Sequence, residues 1–365
     1  MQMSLLLRQK LPDFPWDALA PYADKARTHP NGAIDLSVGT PVDATPDFIQ
    51  SALSESANSP SYPLTAGTPE LKDAIHKWAE KTLGATGDFS VLPLIGSKEF
   101  VAWLPTFLES QKVLIPEIAY PTYLVGALLG QCQATAVAID AGSWPHADLA
   151  WVNSPSNPTG RVHTESEFKS AINWSRKNGS VVVSDECYVE FGDSKTPTSI
   201  MKYTNGENKN ILAVLSLSKR SSMAGYRAAF IVGDPALISR ILEVRKHAGM
   251  MVPLPVQKAM IAALADENHV EIQRARYNAR RATLAPALAE AGFTIENSEA
   301  GLYIWATRKE SSWDSVAWLS ELGIIATPGI FYGEKGGEHI RVAMTATDQN
   351  IADAAARIRS KVSPH

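Results

Sequence analysis

Several large functional classes are excluded by what the sequence lacks. Its 365 residues hold only two cysteines, Cys132 and Cys187. That is too few for a disulfide framework and points to a reducing, cytoplasmic setting. No stretch approaches the roughly eighteen apolar residues of a membrane helix. The apolar triplet Leu5, Leu6 and Leu7 is cut off by Arg8, too short for the core of a signal peptide. Charge of one sign is missing as well: 34 Lys and Arg stand against 38 Asp and Glu, a net charge of −4. A protein held to nucleic acid by phosphate neutralisation needs a positive excess instead. No two glycines are separated by a single residue, so the dinucleotide-binding fingerprint is absent, and no Gly-Lys pair exists to build a phosphate-binding P-loop. There is no Gly-x-Ser-x-Gly nucleophile elbow. The eight histidines are scattered, with no His-Glu-x-x-His, and give metal catalysis no support. Internal repeats and low-complexity tracts are absent too.

What is present is an ordinary globular composition, 45% apolar and 20% charged, in a chain long enough for two domains. Helix starts are clearly written. Thr45-Pro46-Asp47 and Thr68-Pro69-Glu70 each read as an N-cap, a proline in the first turn and an acid beside it. Thr164 to Glu167 fits a capping box, with Gly179 as the stop, and Gly84 ends the helix that carries Leu71, Ile75 and Trp78. Between these lie short apolar runs at 91–95, 113–115, 134–139, 149–152, 181–183, 211–215 and 228–232. Several lack polar alternation, as strands covered on both faces do. Strands alternating with capped helices predict an α/β domain with a mostly parallel sheet flanked by helices, over residues 45–255. Beyond Pro253 and Pro255 a long basic helix carries Arg274, Arg276, Arg280 and Arg281. Strands at 293–296, 302–305 and 340–344 then predict a smaller α+β unit.

In an open α/β sheet, ligands bind beyond the carboxyl ends of the strands. Four runs here end in polar chemistry. The run at 149–152 enters Asn153-Ser154-Pro155-Ser156-Asn157-Pro158-Thr159-Gly160. The run at 181–183 ends at Ser184-Asp185-Glu186-Cys187-Tyr188. The run at 211–215 ends at Ser216-Leu217-Ser218-Lys219, with Arg227 following, and the run at 91–95 opens a helix at Gly96-Ser97-Lys98-Glu99. Each piece alone has a plain reading. Asn-Pro-x-Gly is turn chemistry, Ser-x-Ser-Lys arises by chance, and Gly96-Ser97 can simply cap a helix. Cys132 reads as packing and Cys187 as a pocket-lining residue. Together they deliver a lysine, an acid and an anion-binding helix end to one sheet edge. Pyridoxal phosphate requires that inventory: a Schiff-base lysine, an acid for the ring nitrogen, and donors for the phosphate.

With these motifs in order and at family-like spacing, nearly the whole chain resembles the fold-type I, class I/II pyridoxal-phosphate aminotransferases. The resemblance implies that Lys219 carries the cofactor and that Asp185 faces its ring nitrogen. Tyr188 and Asn157 would bond the ring hydroxyl, and Tyr120 of Tyr-Pro-Thr-Tyr would stack on the ring. Gly96, Ser97, Lys98, Ser216, Ser218 and Arg227 would hold the phosphate. Tyr62 looks like the tyrosine that reaches the neighbouring subunit's phosphate, which implies a homodimer with shared active sites. Arg341 of Ile-Arg-Val-Ala looks like the clamp on the substrate α-carboxylate, assisted by Gly39 and Asn157. It follows that the chain ends, 1–44 and 256–365, combine into the small domain with its N-terminal arm.

More narrowly, Leu-Ser-Val-Gly-Thr-Pro-Val-Asp and Tyr-Pro-Leu-Thr-Ala-Gly-Thr-Pro-Glu-Leu are similar to segments of the actinobacterial N-succinyldiaminopimelate aminotransferases of lysine biosynthesis. That implies amino and 2-oxo acid substrates, no metal, and no nucleic-acid or membrane partner. Tyr120 stands where aspartate-type enzymes have tryptophan, so their specificity does not carry over. Other α-amino-acid aminotransferases, a β-elimination C–S lyase and a non-catalytic amino-acid sensor share the same scaffold.

Overall fold

The seven apolar runs become seven strands of one sheet in the computed structural model, which describes residues 11–361. The triplet Leu5, Leu6 and Leu7 lies outside the described residues. In chain order the first half comprises α1 (Ala20–Arg27), β1 (Ile34–Asp35), α2 (Asp47–Glu55), α3 (Pro69–Trp78), β2 (Ser90–Ile95), α4 (Ser97–Phe107), β3 (Lys112–Pro116), α5 (Thr122–Leu129) and β4 (Gln133–Val137). Next come β5 (Leu149–Asn153), α6 (Glu165–Asn178), β6 (Val181–Asp185), β7 (Ile211–Ser216), α7 (Leu217–Arg220), β8 (Ala228–Gly233) and α8 (Pro235–Ala248). The remainder is α9 (Leu254–Ala265), α10 (Asn268–Glu290), β9 (Thr294–Glu296), β10 (Tyr303–Thr307), α11 (Ser312–Glu321), β11 (Ile324–Ile325), β12 (Thr327–Pro328), β13 (His339–Ala343) and α12 (Asp348–Ser360).

The large sheet has the order β2-β8-β7-β6-β5-β3-β4. All its pairings are parallel except the two that β8 makes, with β2 and β7. The missing polar alternation now has its cause. Leu212 and Val214 of β7 pack under α4, α5 and α8, while Ile211, Ala213 and Leu215 pack on the opposite face against α3, α6 and α9. Both faces are dry, so both strand faces are apolar. A third core joins α10, α11 and α12 to the antiparallel sheet β12-β13-β10-β9 and to the short parallel pair β1-β11.

Two of the helix starts follow the grammar of the sequence. The Thr68 hydroxyl accepts from Leu71 N at 3.2 Å, and Thr164 with Glu167 forms a complete capping box ended by Gly179 in the left-handed region. The Thr45 start does not. Pro46 is the N-cap of α2 and offers no side-chain cap, because the Thr45 hydroxyl donates to Ser222 O at 2.7 Å instead. That bond ties the strap after β1 to the loop behind Lys219.

Candidate active site

The carboxyl ends of β2, β5, β6 and β7 share one edge because those strands run the same way. Ser97, Asn157, Asp185, Ser216 and Lys219 therefore line one cavity of about 460 Å³. Arg227 reaches the same place by the opposite route. It precedes β8, which is antiparallel, and the register sets Ala228 beside Ile95 and Ala229 beside Ser216. A residue at the start of an antiparallel strand thus meets residues at the ends of its neighbours.

One end of the cavity is built for an anion. No side chain caps α4, so the first N–H groups of that helix remain available there, with the positive end of its dipole. Gly96 sits at φ +78°, and a Cβ at that position would fall 2.1 Å from Arg227 Nη2. Arg227 holds φ +55° and donates from Nη1 to Ala224 O at 2.7 Å. The Ser216 hydroxyl caps α7 by accepting from Ser218 N at 3.1 Å and lies 2.9 Å from the Ser218 hydroxyl. Glu99 accepts from Arg245 at 3.0 Å, which pins α4 to α8 behind the site. Gly96→Ala should therefore weaken the affinity for pyridoxal phosphate about tenfold or more, through a strained φ and a displaced guanidinium. Titration of cofactor absorbance, with circular dichroism as the folding control, checks it.

At the centre, Asp185 is buried. Its Oδ2 accepts from Tyr123 OH at 2.9 Å and its Oδ1 from Cys187 N at 3.2 Å. Burial pushes its pKa up, and the donors from Cys187 and Tyr123 oppose that shift. A protonated ring nitrogen placed against the carboxylate would oppose it further. Lys219 Nζ donates to Gly39 O. Burial pushes the Lys219 pKa down to about 8; Cys187 opposes the shift, and the Arg341 and Arg227 guanidinium groups add to it. Below that value the lysine is protonated and unreactive. Capture of an aldehyde by the apoprotein should thus rise about tenfold per pH unit up to about pH 8 and level off above it, which stopped-flow absorbance measures.

The far wall comes from the small sheet. Arg341 on β13 faces Trp305 and Thr327 across the ladder. It donates to Asn157 Oδ1 at 2.9 Å and to Ser37 O at 2.5 Å, while its buried Nε has no partner. Its guanidinium lies 4.1 Å from the Tyr303 ring centroid. Ala343 N donates to Leu36 O and Leu36 N to Ile325 O, both at 2.8 Å. This lays the Ser37–Gly39 stretch along the sheet and sets Gly39 under the lysine. A Cβ on Gly39 would fall 2.0 Å from Tyr303 OH, so any larger residue must displace the buried Tyr303 ring.

Gly39, Lys98, Tyr120, Tyr188, Ser218 and Arg341 also line this cavity. Gly96 lies directly behind it against Arg227. Tyr62 does not join it: its side chain is 92% exposed. Several lining residues escaped the sequence reading. Tyr123 stacks on Trp151 at 5.1 Å, and its place three residues after Tyr120 in Tyr-Pro-Thr-Tyr was the available signal. Tyr303, 3.2 Å from Tyr188 OH, sat inside a recognised apolar run. Phe14 and Trp16 carried no signal. Among the described residues there is no cluster of metal-ligating side chains and no helix long and apolar enough to cross a membrane.

The residues fit pyridoxal phosphate: an uncapped helix end beside Arg227 for its phosphate, a buried acid for its ring nitrogen, and a lysine of lowered pKa. The wider comparisons agree. A family model described as aminotransferase class I and II matches residues 31–358. The 4-dedimethylamino-4-oxo-anhydrotetracycline transaminase OxyQ of Streptomyces rimosus is 49% identical, covering 96% of this chain and 99% of its own. An LL-diaminopimelate aminotransferase of Dehalococcoides mccartyi is 30% identical, with 96% of each chain covered. The solved structure of a probable N-succinyldiaminopimelate aminotransferase from Thermus thermophilus superposes with a TM-score of 0.87 at 26% identity, covering 95% of this chain and 100% of that one. By sequence, fold and site chemistry together, the chain belongs to the class I and II aminotransferases, the pyridoxal-phosphate-dependent transaminases.

Proposed function

We propose that this transaminase exchanges the amino group of N-succinyl-LL-2,6-diaminopimelate with 2-oxoglutarate, a step of lysine biosynthesis. The observation that carries an α-amino-acid substrate is Arg341. It is a buried guanidinium with an unpartnered Nε, lining the same cavity as Lys219, and its planar fork suits a carboxylate. The likeness to diaminopimelate and succinyldiaminopimelate aminotransferases supports the narrower choice.

In this reading the α4 N-terminus, Ser97, Ser216, Ser218 and Arg227 hold the cofactor phosphate, with Lys98 in the first turn of α4. Asp185 keeps a proton on the ring nitrogen, and Tyr120 covers the ring. Asn157 gives its carbonyl to Arg341, which leaves its amide nitrogen and the Tyr188 hydroxyl for the ring oxygen. Pyridoxal phosphate, when bound, supplies the electron sink for the charge left at the substrate Cα. Lys219 Nζ removes the Cα proton, and its lowered pKa suits that task near neutral pH. Arg341 and Gly39 orient the substrate so that this proton faces the lysine.

The division into 45–255 and the combined ends 1–44 and 256–365 is supported by the separate sheets, except that α9 packs on the large sheet and carries that unit on to Ala265. A homodimer with shared sites is supported by Tyr62 and Leu64, apolar side chains left 92% and 60% exposed. A second reading, amination of a fused-ring ketone, is favoured by the 49% identity to OxyQ along both chains. A panel of amino donors with 2-oxoglutarate decides between them. Glutamate formation from N-succinyl-LL-diaminopimelate supports the first reading, and its absence alongside amination of an oxo-anhydrotetracycline overturns it. Release of pyruvate from a cysteine conjugate, with no glutamate formed, would make the protein a C–S lyase instead.

A further inference from the structure

The mouth of the cavity is aromatic, and this bears on what the substrate carries beyond its α-carbon. Phe14 and Trp16 both line it, and they come from the segment just before α1. That segment is anchored elsewhere: Leu19 is buried in the third core, and Tyr22 stacks on Trp313 of α11 at 5.2 Å. Trp16 packs one side against that core, 5.7 Å from Phe331, and turns the rest of its surface to the cavity, while Phe14 stays outside the core. Phe14 remains 55% exposed, its ring 5.4 Å from Trp16 and 5.7 Å from Lys98 Nζ of α4. Trp16 leans edge-on against Tyr332 at 6.4 Å, and Tyr332 lies 5.1 Å from the Arg341 guanidinium. Aromatic rings therefore run in contact from the carboxylate clamp to the solvent, with Tyr332 buried behind the wall and Trp16 and Phe14 lining the cavity.

We infer that Trp16 and Phe14 determine substrate specificity, forming an apolar aromatic wall that selects amino and oxo acids whose side chains are long and carry a planar body, an N-acyl amide or a ring system. This rests on the α-carboxylate being bound at Arg341 as proposed above. A substrate so held, with a short side chain, ends before the wall and gains nothing from it. A long planar one covers the exposed faces of both rings, and aromatic faces bury much apolar area in contact with flat groups.

The test uses the cofactor-loaded protein and two unreactive carboxylates that lack an α-amino group, 6-(succinylamino)hexanoate and butanoate. Calorimetry gives the ratio of their affinities for wild type, Trp16→Ala, Phe14→Ala and Trp16→Leu, the last keeping an apolar contact with Tyr332. Trp16→Ala is expected to lower the ratio about 10- to 30-fold, the size of effect seen when a buried aromatic anchor is truncated. Phe14→Ala should lower it less, and Trp16→Leu should recover part of the loss. Equal losses for both carboxylates in Trp16→Ala and Trp16→Leu would reveal a purely structural role and overturn the inference, as would an unchanged ratio in all three variants. Failure of the wild type to transaminate N-succinyl-LL-diaminopimelate would sink the proposed substrate while leaving this ratio, which is read without turnover, to stand or fall separately.

Discussion

Lys219→Ala is expected to lose transamination by about four orders of magnitude or more, because one side chain serves as both covalent anchor and proton carrier. Among the described residues no neighbour can substitute. The other lysine lining the cavity is Lys98, whose Nζ lies 5.7 Å from the Phe14 ring centroid, at the mouth. The variant should still bind pyridoxal phosphate non-covalently, since the α4 N-terminus and Arg227 are untouched. Borohydride treatment followed by mass spectrometry should find cofactor attached to the wild type and none to the variant. Added small primary amines should restore a measurable part of the rate by entering the space vacated. Full activity in the variant would remove Lys219 from the mechanism altogether.

Arg341→Ala should lower kcat/KM for α-amino acids by about 10²- to 10³-fold, the cost of truncating one partner of a buried charge-assisted contact. The loss has two sources. The incoming carboxylate forfeits its fork, and Asn157 Oδ1 and Ser37 O lose their donor. Arg341→Lys should recover little, since an ammonium cannot reach Asn157, Ser37 and a carboxylate in one plane. Primary amines without a carboxylate separate the roles. Their turnover should fall far less than that of amino acids if Arg341 binds the carboxylate, and equally if it only supports the Asn157 loop.

Much of the site was legible because parallel strands make position in sequence a proxy for position in space. Asn157, Asp185 and Lys219 each follow an apolar run, and strands running the same way leave all their followers on one edge. Arg227 precedes its strand, so the residues alone linked it to the site only through its distance from Lys219, until the antiparallel sense of β8 supplied the reason. The Thr45 cap failed because a tertiary partner, Ser222 O, competed for the hydroxyl. Local grammar cannot weigh a partner so distant along the chain.

The sequence by itself determined the α/β class, the strand and helix inventory, and the chemistry delivered to the sheet edge, since periodicity, caps and turn residues act over a few neighbours. Only the tertiary structure decided what closes the other side. Gly39 and Arg341 meet from opposite ends of the chain, Tyr123 braces Asp185, and Phe14 and Trp16 form the mouth. Those placements depend on which buried surfaces pack against which, and that choice leaves no periodic mark on the residues involved.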